Sequence, residues 1–259
     1  KAWVHAREGR LLAAAEERFA RAADTTLLIS EHEANLFRTR LSSPGQVDIK
    51  VMRNGIDAQF FAPEAVAPQP TLFGPGPNIV FTGQMDYAPN VSAVERMVQR
   101  ILPGIRETRA GAEFHIVGRA PTPAVKALGR QDGVTVWGEV PDVRPFLAEA
   151  DIVAAPLTIA RGIQNKVLEA MAMAKPVLLS PEAATGIDAE DGVHFAVAEG
   201  DRMMVGRALP LIEDRARAKA MGDAARAFVL AEQSWSAMLG GLGELLRPSA
   251  ETGATTSSA

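Results

Sequence analysis

The stretch from Arg161 to Ser180, R-G-I-Q-N-K-V-L-E-A-M-A-M-A-K-P-V-L-L-S, sets a glycine turn, cations and a carboxylate at fixed spacing, and that combination reads as an anion site. Lys166 and Glu169 are three residues apart, so a helix places both on one face. Gly162, just ahead, lets the backbone approach a ligand closely. The start of a helix offers unpaired N–H groups and a positive dipole end to phosphate, and the carboxylate of Glu169 can accept hydrogen bonds from hydroxyls. Together these groups suit a nucleotide sugar. The same residues also fit a plainer arrangement, a solvated Lys166–Glu169 ion pair behind a turn glycine, which would contribute little.

The elements that must position these residues are legible around them. Asp151 to Leu157 is an apolar run of strand length and Pro176 to Leu179 is another, so a helix between parallel strands is expected, starting at the carboxyl edge of a sheet where ligands of open α/β sheets bind. Strands are expected over 78–82, 113–117, 134–137, 152–155 and 194–197, with helices over 90–108, 123–129, 143–150, 201–213 and 216–231. This alternation predicts an α/β fold with a doubly wound parallel sheet. Upstream, helical periodicity over 13–23, a strand over 25–30, a helix over 31–41 and a strand over 47–52 form a shorter series. Asn54-Gly55-Ile56-Asp57 is a turn signal, and the Pro- and Ala-rich 63–77 reads as part of a linker. A last helix is expected over 236–246, and the Ser/Thr/Gly/Ala-rich 248–259 reads as a disordered tail.

Composition narrows the classes. With 259 residues, 47% hydrophobic and 22% charged, the chain can bury a sizeable core. A net charge of −4 without blocks of Lys or Arg argues against nucleic acid as a partner. Cysteine is absent, which excludes disulfides and thiolate metal sites and suits a cytoplasmic location. No apolar run approaches the roughly 20 residues of a membrane span, so at most peripheral contact with a membrane is expected. The chain opens on Lys1 within a helical pattern, which suggests a piece of a longer protein.

The motifs N-G-I-D-x-x-F-F-x-P, V-F-T-G-x-M-D-Y-x-P-N, F-H-I-V-G-R, V-x-G-E-V-P-D-V-R-P and N-K-V-L-E-A-M-A-x-x-K-P-V follow one another in an order that resembles the C-terminal half of GT-B glycosyltransferases of the group 1 type. Among these, the sequence looks most like sugar transferases of exosortase and exopolysaccharide systems. The resemblance covers about Thr26 to Leu246. It implies two Rossmann-like domains facing a cleft. Residues 1–53 would be the remnant of the N-terminal acceptor domain and 54–77 the linker. Residues 78–232 would be the nucleotide-sugar donor-binding domain, and 233–247 a terminal helix crossing back.

Carried over by position, Gly83 and Gln84 follow the first donor-domain strand, where relatives bring backbone N–H groups to the diphosphate, and Gly118 and Arg119 close the strand F-H-I-V-G-R. Val140 would hold the base through its main chain, and Gly162 with Ile163 would border the donor. Glu169 matches the second glutamate of the family's E-x7-E pattern, which binds the ribose. Arg161 stands where the first glutamate belongs, and Gln84 stands where many relatives carry a basic residue. Arg161 and Lys166 are therefore expected to neutralise the leaving diphosphate together, the catalytic role in this scheme. His115 reads as a core histidine, Asp142 as a helix N-cap and Arg144 as exposed.

The function implied is transfer of a sugar from a nucleoside diphosphate sugar to a glycan or lipid-linked acceptor, with retention, without a metal ion and with no cofactor beyond the donor substrate. The chain by itself is expected to bind donor and not to turn it over. A non-catalytic nucleotide-sugar-binding module is the alternative. A dinucleotide oxidoreductase is disfavoured, because G-x-G-x-x-G does not follow the first strand.

Overall fold

The structure, a computed structural model, describes residues 2–69, 72–160 and 162–246. The chain divides into two compact units, Gly55–Trp235 and the described residues of Lys1–Asn54 with Ser236–Ala259. The expected tail over 248–259 lies outside the described residues.

In the smaller unit, helix α1 (Ala2–Ala22) leads to strand β1 (Thr26–Leu28), helix α2 (Glu31–Arg40) and strand β2 (Ile49–Val51). The two strands pair in parallel with Leu27 opposite Lys50. Ser30 caps α2 by accepting the Glu33 N–H. Ala34, Leu41 and Ile49 form its small buried core.

The larger unit is built on strands β3 (Asn78–Thr82), β4 (Glu113–Val117), β5 (Val134–Gly138), β6 (Ile152–Ala155), β7 (Val177–Leu179) and β8 (Ala196–Val197). All pairings are parallel, in the order β5-β4-β3-β6-β7-β8. Strands β3 and β6 are buried throughout, as expected of central strands covered on both faces. The chain winds outward from β3 to β5 and then returns across β3 to β6, so the order reverses between β3 and β6. Crevices for ligands open at such reversals.

The covering helices are α3 (Ala88–Arg96), α4 (Leu102–Thr108), α5 (Pro123–Leu128), α6 (Arg144–Glu149), α7 (Asn165–Ala172), α8 (Pro181–Ala184), α9 (Asp201–Glu213) and α10 (Arg215–Phe228). The continuous helix expected over 90–108 is interrupted by a π turn, Met97–Ile101. Pro103 stands just beyond that turn and has no N–H for the helical ladder, which a local wide turn accommodates. The strand expected over 194–197 shrinks to two residues, because His194 sits in a turn and accepts the Glu190 N–H. The single terminal helix expected over 236–246 is instead two short helices, α11 (Trp235–Leu239) and α12 (Leu242–Leu245), separated at Gly240 and Gly241. Adjacent glycines are poor helix formers.

Of residues 54–77, expected to link domains, those from Gly55 onward fall within the larger unit. Ile56, Ala58 and Ala62 are buried, and Phe61, Leu72 and Phe73 pack on its core, while Pro70 and Thr71 lie outside the described residues. Ile56 donates to Gln233 O at 2.8 Å and accepts from Trp235 N at 3.3 Å, so the first and last segments of the unit pair. A side chain at Gly55 would press a Cβ to 2.7 Å from the Trp235 Cα. The turn expected at Asn54 to Asp57 falls later, at 58–61, where Asp57 accepts the N–H groups of Gln59 and Phe60. No helix among the described residues is long and apolar enough to cross a membrane.

Candidate functional site

At the carboxyl ends of β3 and β4 the chain turns sharply, and both turns are made by glycine. Gly83 has φ +155° and Gly118 has φ +151°, values that L side chains rarely adopt. The two turns also touch. A Cβ on Gly118 would fall 1.6 Å from the Gly83 carbonyl oxygen, and a Cβ on Gly83 would fall 2.9 Å from Lys166 Nζ.

These turns and the start of α7 border a cleft of about 460 Å3. Gly83, Gln84, Gly118, Arg119, Val140, Ile163, Lys166 and Glu169, each expected from the sequence, all line it. Exposed Gly162, at φ +66°, is not among the lining residues, and its carbonyl accepts a bond from the Gln164 side chain at 3.1 Å. Arg161 lies outside the described residues.

Lys166 is half-buried rather than solvated. Its Nζ donates to Asn90 Oδ1 at 2.5 Å and stands 4.2 Å from the centre of the Phe81 ring. Burial pulls its pKa down to about 8, and the field of Glu169 opposes this. Glu169 is pushed upward by burial, against the pull of Lys166. The plain surface ion pair therefore does not describe these two residues. Gln164, at the N-cap of α7, makes no side-chain cap bond, and no acid stands in the first turn. A cation placed beside the positive end of a helix is unfavourable until an anion joins them.

Arg119 is exposed, and its Nη2 donates to Gln84 Oε1 at 2.8 Å. Gln84 thus steers a neighbouring cation over the cleft although it carries no charge itself. Arg144 is not exposed as expected. Asp142 accepts its N–H and grips its guanidinium with both oxygens, and the Arg144 guanidinium lies 3.7 Å from the Phe60 ring centre. Val143, not Asp142, is the N-cap of α6, so the carboxylate acts one residue earlier than a capping role requires. His115 is a buried core residue, stacked 3.9 Å from Phe73. Trp137 Nε1 donates to its Nδ1 at 3.3 Å, leaving Nε2 to donate to Asn78 Oδ1 at 3.0 Å, and burial holds its pKa down to about 4.

Thr82, Asn90, Glu139, Val143 and Asn165 also line the cleft and were not singled out from sequence. Asn90 ends the motif M-D-Y-x-P-N, which was its one visible signal. Thr82 Oγ1 is buried with no hydrogen-bond partner among the described residues.

A paired cation and carboxylate, two glycine turns and a helix start at a sheet reversal can hold a phosphorylated, hydroxylated ligand. The sequence profile of the glycosyl transferases group 1 matches residues 76–214, a span containing every lining residue of the cleft. No curated protein matches the chain. Among solved structures, a glycosyltransferase from Rickettsia africae aligns with a TM-score of 0.69 and 15% identity over 88% of this chain and 65% of its own. Anabaena HepE, solved with UDP and glucose, aligns with a TM-score of 0.70 and 15% identity over 90% of this chain and 66% of its own. Sucrose-phosphate synthase from Thermosynechococcus elongatus aligns with a TM-score of 0.68 and 18% identity over 90% and 60%. The chain thus spans less than two thirds of the length of these structures, and at such identities the likeness is one of fold, the Rossmann-like architecture of GT-B enzymes. With the profile spanning more than half of its residues, including the whole cleft, the chain belongs to the group 1 glycosyltransferases.

Proposed function

We propose that this chain carries the donor-binding site of a glycosyltransferase that moves a sugar from a nucleoside diphosphate sugar to a glycan or lipid-linked acceptor. The observation that carries this reading is the meeting of Lys166, Glu169 and the two glycine turns around one cleft at the sheet reversal. Lys166 and the start of α7 face the diphosphate and stabilise the negative charge that develops as it leaves. Glu169 accepts hydrogen bonds from ribose hydroxyls. Gly83 and Gly118 keep the floor of the cleft clear of side chains, and Val140 offers main-chain groups to the base. Arg119, steered by Gln84, adds a second cation. The reaction proceeds with retention and without a metal ion, on the cytoplasmic side of the membrane, in exopolysaccharide assembly. Support for the substrate class comes from relatives of like fold: HepE is solved with UDP-glucose, and TarM from S. aureus with UDP and alpha-GlcNAc-glycerol.

Isothermal calorimetry with UDP, GDP, ADP and NAD tests the reading. One of the three diphosphates should bind more tightly than NAD, with affinity unchanged by EDTA. Lys166→Met should weaken that binding by about 10- to 100-fold, the worth of a hydrogen bond to a charged group. Equal affinities for the wild type and the variant would remove Lys166 from the site.

The second reading, a non-catalytic nucleotide-sugar-binding module, rests on one observation: Arg161 occupies the place of the first glutamate of the family pattern. Donor binding without transfer to any acceptor by the whole protein would favour it.

A further inference from the structure

Asn90 belongs to none of the roles assigned above, yet its contacts converge on the centre of the cleft. It is buried, at the third residue of α3, and its side chain is used at both ends. Nδ2 donates to the Gln84 carbonyl at 2.9 Å, and Oδ1 accepts from Lys166 Nζ at 2.5 Å. A Cβ on Gly83 would lie 2.8 Å from Asn90 Nδ2 and 2.9 Å from Lys166 Nζ, so turn, carboxamide and ammonium are in mutual contact. A carboxamide can donate and accept at once, which neither Asp nor Leu can do in its place.

We propose that Asn90 is a positioning residue for donor binding: its carboxamide ties the Gly83–Gln84 turn to the Lys166 ammonium and so fixes where the cation meets the diphosphate. The inference rests on the donor-site reading and extends it to a residue in another part of the chain. An ammonium half-buried against an aromatic ring has lost much of its water, and a neutral acceptor restores part of that solvation without cancelling the charge. A carboxylate in the same place would hold the ammonium more firmly but would also offset the charge that the diphosphate needs. Among the described residues, the other charged groups lining the cleft with Lys166 are Glu169 on its own helix, Arg119 after β4 and Glu139 after β5. Glu169 favours the charged lysine against the effect of burial, and the hydrogen bond that Asn90 Oδ1 accepts from the ammonium acts in the same direction.

The test combines a lysine titration by 13C NMR with UDP calorimetry from pH 6.5 to 9.5 on the wild-type chain, Asn90→Ala and Asn90→Asp. In the wild type Lys166 should lose its proton near pH 8, with UDP affinity falling through the same range. Asn90→Ala should move both events down by about one pH unit or more, because an accepted hydrogen bond favours the charged form. Its UDP affinity should fall several-fold more at pH 8.5 than at pH 6.5. Asn90→Asp, nearly isosteric, should raise the lysine titration while weakening UDP at every pH. If both variants are folded and leave the Lys166 titration where it was, the positioning role is overturned. So too if UDP affinity falls by the same factor at every pH in Asn90→Ala. Absence of any nucleotide binding by the wild type would defeat the donor-site reading instead, while the titration would still decide whether Asn90 sets the state of the lysine.

Discussion

Thr82, the last residue of β3, carries a hydroxyl that is buried at the cleft with no partner among the described residues. An unpaired buried hydroxyl costs about 1–3 kcal/mol. Thr82→Val keeps the shape and removes that penalty, so its Tm should rise; a lower Tm would mean that the hydroxyl is satisfied after all. What the sequence disclosed at this scale depended on distance along the chain. Lys166 and Glu169 are neighbours by helical spacing and could be read from local pattern, whereas Gly83 and Gly118 were singled out through the resemblance, each following a recognisable strand. Asn90 acquires its role from Lys166, 76 residues further along the chain, so the motif it ends does not announce it. Arg144 was misjudged for a related reason: its burial comes from Phe60, a residue of the stretch read as linker.

Strands and helices were the more legible elements. β3, β4, β6 and α9 occur at the residues expected, because uninterrupted apolar runs and strong helical periodicity leave few alternatives. Two departures fall at Pro and Gly, while the helix expected over 216–231 ends at Phe228 and runs into a π turn, Val229–Gln233. Pro103 widens a helical turn, and Gly240 with Gly241 divides the terminal helix. The contact between the β3 and β4 turns makes a demanding test at this scale. Gly118→Ala forces a Cβ toward the Gly83 carbonyl and imposes an unfavourable φ, so it should destabilise the larger unit by about 1–3 kcal/mol in urea titrations. It should also weaken UDP binding, since both turns must shift. An unchanged urea midpoint would show that the two turns can separate freely.

At the level of the whole chain, the two units differ greatly in what they bury. The larger rests on an extensive core from Ile56 to Val229, the smaller on Ala34, Leu41 and Ile49. Opening free energies follow buried apolar contact, so amides of β1 and β2 should exchange with solvent well before those of β3, β4 and β6 in hydrogen-exchange measurements. Matching rates would indicate that both units open together. The boundary between the units falls between Asn54 and Gly55. The Pro- and Ala-rich 63–77 suggested an open connection, yet Val66, Leu72 and Phe73 pack against the core of the larger unit. The pairing of Ile56 with Gln233 and Trp235 brings the entry and exit of the larger unit side by side. The backbone of the larger unit thus returns to its starting point while its sheet stays open at β5 and β8, and its integrity depends on that seam being shut rather than on which strand the ribosome delivers first.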